Sequence, residues 1–117
     1  MLIVTDQAQL DSLLAEHSAV LVLYGGQACG VCQALKPQLQ RLLAEQFPYM
    51  QACYVDCQTR GSALCAQQRI MALPVVQIWF EGSRFTEFFK VFSLADIKAA
   101  LDRPYSLLFD DSLNSGN

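Results

Sequence analysis

The sequence contains a C-x-x-C pair, Cys29 and Cys32, whose two cysteines are separated by Gly30 and Val31. Two intervening residues bring the sulfur atoms of such a pair within bonding distance when a helix begins there. The thiolate of the first cysteine can then attack a substrate disulfide, and the second thiol can release the substrate as a dithiol. The pair therefore predicts thiol-disulfide exchange, with Cys29 attacking and Cys32 resolving.

The pair lies between a predicted buried strand and a predicted helix. Residues 19–24 are a continuous apolar run, which is typical of a strand covered on both faces, and Gly25 ends it. From Cys29 to Phe47 apolar residues recur at helical spacing, and Pro37 predicts a kink in that helix. A helix N-terminus offers unpaired N–H groups and a partial positive charge. We expect this terminus to provide most of the activation of the Cys29 thiolate.

The remaining patterns predict a mixed α/β fold. Apolar and β-branched runs predict further strands over residues 1–5, 50–56, 75–80 and 84–91. Asp6 and Ser93 are predicted to cap the first and last helices, and a short helix is predicted over residues 62–69. The order of the main elements is βαβαββα. It indicates a mixed central sheet with helices on both faces.

With these elements in order, the sequence resembles the thioredoxin family over residues 1–102. Val20–Tyr24, Cys29–Cys32 and Pro37 match the central strand, active site and kinked helix of that family. Met71–Pro74 is similar to its cis-proline loop, some forty residues downstream. The resemblance implies a thioredoxin fold for residues 1–102 and a separate tail over residues 103–117.

The resemblance also implies how the protein acts. The Leu73–Pro74 bond is expected to be cis, so that this loop meets the backbone of an extended substrate beside Gly30 and Val31. The implied partners are protein disulfide substrates and a recycling reductase or thiol donor. The implied chemistry requires no metal or organic cofactor.

Four residues depart from the usual pattern of that family. Leu23 replaces a buried aspartate that is thought to assist proton transfer at the resolving thiol, Ala28 replaces a tryptophan, Val31 a proline and Phe92 a glycine. These departures leave a second hypothesis open: a binding module that keeps the fold, with the cysteine pair vestigial or regulatory. The intact pair favours the oxidoreductase.

The other three cysteines allow several interpretations. Cys53 and Cys57 with the close pair form a possible set of four zinc ligands, but no ribbon-like turn surrounds them. The odd total of five argues against a framework of structural disulfides. We therefore expect Cys53 and Cys65 to be buried free thiols. Cys57, at a strand end, is expected to be open to modification or intermolecular pairing.

Composition and charge limit the class of protein. The chain has 117 residues, 53% of them hydrophobic, which indicates one folded domain with a filled core. The net charge of −3 and the scattered basic residues argue against binding to nucleic acid. No signal peptide or membrane span is recognisable, so a cytoplasmic location is expected. The apolar Tyr105–Phe109 segment predicts packing of the tail on its own domain, with self-association as the alternative.

Overall fold

The computed structural model describes residues 1–109, which form a five-stranded mixed sheet. The strands run in the spatial order β1-β3-β2-β4-β5; β1 and β2 pair parallel to β3, while β4 pairs antiparallel to both β2 and β5. The sheet confirms the predicted α/β class. The strands are β1 (Leu2–Ile3), β2 (Ala19–Gly25), β3 (Gln51–Asp56), β4 (Val75–Phe80) and β5 (Ser83–Phe89).

Helices cover both faces of this sheet, as predicted. They are α1 (Gln7–Glu16), α2 (Gly30–Gln46), α3 (Ser62–Gln67) and α4 (Leu94–Phe109). Apolar residues of α2 and α4 form one core cluster with the sheet, and those of α1 and α3 form a second cluster. The observed order is β1-α1-β2-α2-β3-α3-β4-β5-α4, which has one strand and the short helix α3 more than the order βαβαββα.

Strand β2 lies at the centre of the molecule because both of its faces are apolar. All seven of its residues are buried. Leu21 and Leu23 belong to the cluster with α2 and α4, whereas Val22 and Tyr24 belong to the cluster with α1 and α3. Alternate side chains of a strand point to opposite faces, so a continuous apolar run fills both cores. The end of β2 is thereby held firmly where the cysteine motif begins.

Helix α4 continues past the boundary expected at residue 102. It includes Pro104 and ends at Phe109. The ring of Tyr105 lies 5.0 Å from that of Phe47 in an edge-on arrangement, and the ring of Phe109 lies 5.4 Å from that of Tyr49. The first part of the expected tail therefore packs on the domain, and residues 110–117 lie outside the described residues. Within residues 1–109, none of the helices has the length and apolar character needed to cross a bilayer.

Cys57 and Cys65 form a disulfide bond, with their Cα atoms 5.6 Å apart. The expectation that Cys65 is a buried free thiol, and that Cys57 is open to modification or intermolecular pairing, was therefore wrong. The chain turns back at Gly61, whose N–H donates to the Asp56 carbonyl oxygen over 2.8 Å. A Cβ atom at Gly61 would lie 2.7 Å from that oxygen, so glycine permits the tight return that brings α3 against β3. The sequence pattern carried no sign of this return.

Replacing both Cys57 and Cys65 with alanine is expected to lower the free energy of unfolding by about 2 to 3 kcal/mol. The bond closes a loop between residues separated by eight positions, and its loss restores conformational freedom to the unfolded chain. Urea unfolding of the oxidised proteins measures the change. Adding a reductant should abolish most of the difference between variant and parent. An equal difference with and without reductant would show that the loss comes from packing instead.

Candidate active site

The cysteine motif lies where β2 ends and α2 begins. Cys29 is the N-cap residue of α2, and its sulfur accepts a hydrogen bond from the Cys32 N–H at 3.2 Å. The Cys29 N–H donates to the Gly26 carbonyl oxygen at 3.1 Å, which fixes the turn after the strand. The sulfur of Cys29 thus takes the place of a capping oxygen. Negative charge on it would be stabilised by the helix terminus, as the sequence predicted.

The two cysteines of the motif are joined and differ in exposure. Their Cα atoms lie 5.3 Å apart in the Cys29–Cys32 disulfide. Cys29 is half-buried, whereas Cys32 is fully buried, with 0% of its surface exposed. A substrate sulfur can therefore approach Cys29 from solvent, while Cys32 reacts from inside. This difference favours Cys29 as the attacking group and Cys32 as the resolving group.

The Leu73–Pro74 loop lies beside the motif because β4 pairs with β2. Val75, the first residue of β4, is the antiparallel partner of Tyr24, the last residue but one of β2. The Leu73–Pro74 peptide bond is cis, as the family resemblance implied, and Pro74 is buried. Within residues 1–109, the backbone N–H and C=O of Leu73 have no backbone partner. They remain available for pairing with another chain.

Exposed apolar side chains surround the motif. Val31 is 63% exposed between the two cysteines, and Met71 is 92% exposed just before the cis bond. Val91, which is 94% exposed, follows Lys90, whose N–H donates to the Pro74 carbonyl oxygen. The motif, the cis-proline loop and the end of the β-hairpin therefore all expose apolar side chains. Gly30 is exposed as well, with nothing within 4 Å of the position that a Cβ atom would take.

Phe92, one of the four departures from the family pattern, packs on the core. It is half-buried, and its ring lies 5.7 Å from that of Phe88 against the α2 and α4 cluster. Ala28 is exposed immediately before the motif. The ring of Phe92 thus packs on the core next to β5, and the position before the motif carries only a methyl group.

The β3–α3 loop supports the motif through contacts that sequence analysis missed. The Cys57 N–H donates to the Gly25 carbonyl oxygen at 2.8 Å, and the Gln58 Oε1 atom accepts from the Ala28 N–H at 2.9 Å. The side chain of Gln58 also fills the space next to Gly26 that a Cβ atom would need. These residues lie about thirty positions from the motif, so no local pattern revealed them. The second disulfide therefore begins at a residue that holds the active-site loop.

Below the motif, the position of the missing aspartate is apolar. Leu23 is fully buried in the α2 and α4 cluster, and its partner on β3 is Tyr54, which is 5% exposed. Burial, and secondarily the Asp56 carboxylate, raise the pKa of the Tyr54 phenol. The Lys36 ammonium lies 4.4 Å from the centre of the Tyr54 ring. The resolving side of the site is therefore formed by an aliphatic and a phenolic side chain.

The four cysteines considered as zinc ligands are not brought together. Cys57 is bonded to Cys65, and Cys53 is a free thiol on β3 in the cluster with α1 and α3, whereas Cys32 lies on α2. Burial raises the pKa of the Cys53 thiol to about 12. It therefore stays protonated near neutral pH and behaves as a small apolar side chain, as expected. Among residues 1–109 there is no cluster of three or more histidine, cysteine or acidic side chains arranged to hold a metal ion.

Comparison with known proteins gives one family. The family model described as Thioredoxin matches residues 1–103. The chain is 29% identical over 82 residues to Thioredoxin-like 3-2, chloroplastic, of Arabidopsis thaliana, covering 70% of this chain and 42% of that protein. It is 31% identical over 94 residues to a protein disulfide-isomerase of Aspergillus niger, covering 70% of this chain and 18% of that protein. The chain thus spans less than half the length of either relative.

Solved structures show the same fold. A thioredoxin of Fasciola hepatica superposes with a TM-score of 0.79 at 21% identity, covering 88% of this chain and 98% of that one. A thioredoxin of Plasmodium falciparum gives a TM-score of 0.76 at 21% identity, covering 88% and 99% of the two chains. At this level of identity the similarity establishes the architecture and leaves the activity to be argued from the site.

Proposed function

The chain belongs to the thioredoxin family, whose model matches residues 1–103, and on that premise we propose that it reduces or exchanges disulfides in other proteins. The cysteine pair and the similarity to thioredoxin-like and protein disulfide-isomerase relatives support a thiol-disulfide oxidoreductase. One observation carries the proposal for this chain: the Cys29 sulfur caps α2 and accepts the Cys32 N–H, where a thiolate is stabilised.

The proposed cycle uses the two cysteines in sequence. The Cys29 thiolate attacks one sulfur of a substrate disulfide, forming a mixed disulfide and expelling the other substrate sulfur as a thiolate. Cys32 then loses its proton and attacks the Cys29 sulfur, which breaks the mixed disulfide and releases the second substrate thiolate. The substrate gains two electrons, and the protein is left with the Cys29–Cys32 disulfide.

Substrate binding is proposed to involve the surface beside Cys29. An extended substrate segment would pair with the free backbone groups of Leu73, next to Pro74. Gly30 offers close approach because nothing lies within 4 Å of its missing Cβ atom, and Val31 offers an exposed apolar contact. Support for this arrangement comes from the pairing of β4 with β2, which brings the loop next to the motif.

The cycle requires partners besides the substrate. A reductase or a small thiol is proposed to return the Cys29–Cys32 disulfide to the dithiol. The cytoplasmic location remains a prediction from the sequence, and so does self-association through the tail.

The reduction potential of the Cys29–Cys32 pair tests the proposal. The purified protein is equilibrated in graded thiol buffers, and the peptide that carries both cysteines is assayed by mass spectrometry after acid quenching. A reversible two-electron transition near about −270 mV would indicate a reductant, and one above about −200 mV an oxidant or isomerase. The absence of a reversible transition would contradict the oxidoreductase and favour the binding module.

A further inference from the structure

Leu23, the residue beneath the cysteine motif, cannot assist the loss of the Cys32 proton that the resolving step requires. Cys32 is fully buried and must lose its proton before it can attack the mixed disulfide at Cys29. A buried thiolate needs a hydrogen-bond donor or a nearby positive charge to form at neutral pH. Leu23, which is fully buried within an apolar cluster, offers neither. The donor must therefore come from another group.

Tyr54 reaches the resolving cysteine from the neighbouring strand. A Cβ atom added to Gly25 would lie 2.9 Å from the Cys32 Cβ atom and 3.1 Å from the Tyr54 hydroxyl oxygen. Both groups therefore lie about 3 Å from one point, and at most about twice that distance from each other. Glycine at position 25 is what leaves this space open. The phenol thus ends beside the side chain of Cys32.

The hydroxyl group of Tyr54 has a proton to donate. It accepts one long hydrogen bond, 3.5 Å, from the Gln33 Nε2 atom. In the part of the chain that the structure describes, nothing accepts the proton of this hydroxyl. Burial and the Asp56 carboxylate raise the pKa of Tyr54, so the phenol stays neutral and remains a donor near pH 7.

Charged side chains surround the Tyr54 phenol. It lines a cavity of about 240 Å³ together with Lys36, Asp56 and Arg60. Lys36 lies over the ring from α2, while Asp56 and Arg60 approach from the end of β3 and the following loop. The polar lining suits water, which can accept a proton on the Tyr54 side of the site.

We propose that Tyr54 is the positioning residue for the resolving step, and that its hydroxyl donates a hydrogen bond to the Cys32 thiolate. In this step the Cys32 proton passes to water and the thiolate forms while Tyr54 keeps its own proton. The thiolate attacks the Cys29 sulfur, and the bond between Cys29 and the substrate sulfur breaks. The electron pair leaves with the substrate thiolate. The inference rests on the proposed function, since it concerns one half of the same cycle.

The test separates the two halves of the cycle with Tyr54→Phe. The reduced protein is mixed with the aromatic disulfide dithiobis(nitrobenzoate), quenched with acid at intervals, and the peptide that carries Cys29 and Cys32 is weighed. Its mass distinguishes the aryl adduct at Cys29 from the Cys29–Cys32 disulfide, whatever the state of the other cysteines. Phenylalanine keeps the ring in place, and Tyr49→Phe, at a side chain that is 69% exposed, is the matched control.

Tyr54→Phe is expected to slow conversion of the adduct to the disulfide about tenfold at neutral pH, the scale of one hydrogen bond to a charged group. The pH midpoint of that conversion should rise, because the lost donor had lowered the pKa of the Cys32 thiol. In Tyr54→Phe, adduct formation at Cys29 and the urea midpoint should match the parent. Tyr49→Phe should match the parent in these two measurements and in the conversion of the adduct as well. Unchanged conversion in Tyr54→Phe would overturn the inference and leave the proposed function standing. An adduct that never resolves in the parent would overturn both.

Discussion

Replacing Cys29 with serine is expected to reduce disulfide turnover to the rate of the buffer thiol alone. A serine hydroxyl is not ionised at neutral pH, so the group that caps α2 can no longer attack a disulfide sulfur. Cys32 cannot replace it, because its side chain is fully buried behind the motif. Reduction of a fluorogenic disulfide-linked peptide in dithiothreitol measures the loss.

Replacing Cys32 with serine should have a different effect, because it removes the resolving thiol and keeps the attacking one. Cys29 still attacks, but the mixed disulfide has no internal thiol to resolve it, so protein-substrate adducts should accumulate at Cys29. Non-reducing electrophoresis and peptide mass spectrometry detect them. The matched control is the Cys57→Ala, Cys65→Ala double variant, which leaves the motif intact and should trap nothing. Retained turnover in Cys29→Ser, or adducts in the control alone, would contradict the assigned roles.

The parts of the fold that could be predicted from the sequence are those encoded by local patterns. The apolar run of β2 indicates burial on both faces, and the spacing after Cys29 indicates α2; both are confirmed. The caps are local as well: the Asp6 carboxylate accepts from the Gln9 N–H, and the Ser93 hydroxyl accepts from the Asp96 N–H. Such features depend on residues three or four positions apart, so a short stretch of sequence includes all the residues involved.

The contacts that sequence analysis missed join distant segments. The Cys57–Cys65 bond depends on the turn at Gly61, and the support that Gln58 gives to the motif spans thirty positions. Tyr54 is paired with Leu23 by the register of two parallel strands, which composition does not determine. The domain was expected to end at residue 102, yet α4 continues through Pro104, and the ring of Tyr105 packs edge-on against that of Phe47.

Replacing Leu23 with aspartate is expected to lower the free energy of unfolding by about 3 to 5 kcal/mol at neutral pH, the scale of an uncompensated buried charge. Leu23 has no exposed surface, and its surroundings are the apolar side chains of the α2 and α4 cluster. Tyr54, its partner on β3, can offer one donor at most, which is fewer than the acceptor sites of a carboxylate. The aspartate found elsewhere in the family is thus not tolerated here by a simple exchange.

The pH dependence of that loss identifies its cause. Burial disfavours the charged form, so the new carboxyl would have a pKa above its unfolded value of about 3.9. Between these two values the folded state binds more protons than the unfolded state, and the stability therefore falls as the pH rises through this window. In Leu23→Asn the new side chain has nearly the same shape as aspartate but does not titrate. This variant should therefore lose the same free energy of unfolding at every pH in the window. Urea midpoints at about pH 4 and about pH 8 compare the two variants, and equal losses at both pH values would show that the side chain at position 23 reaches water.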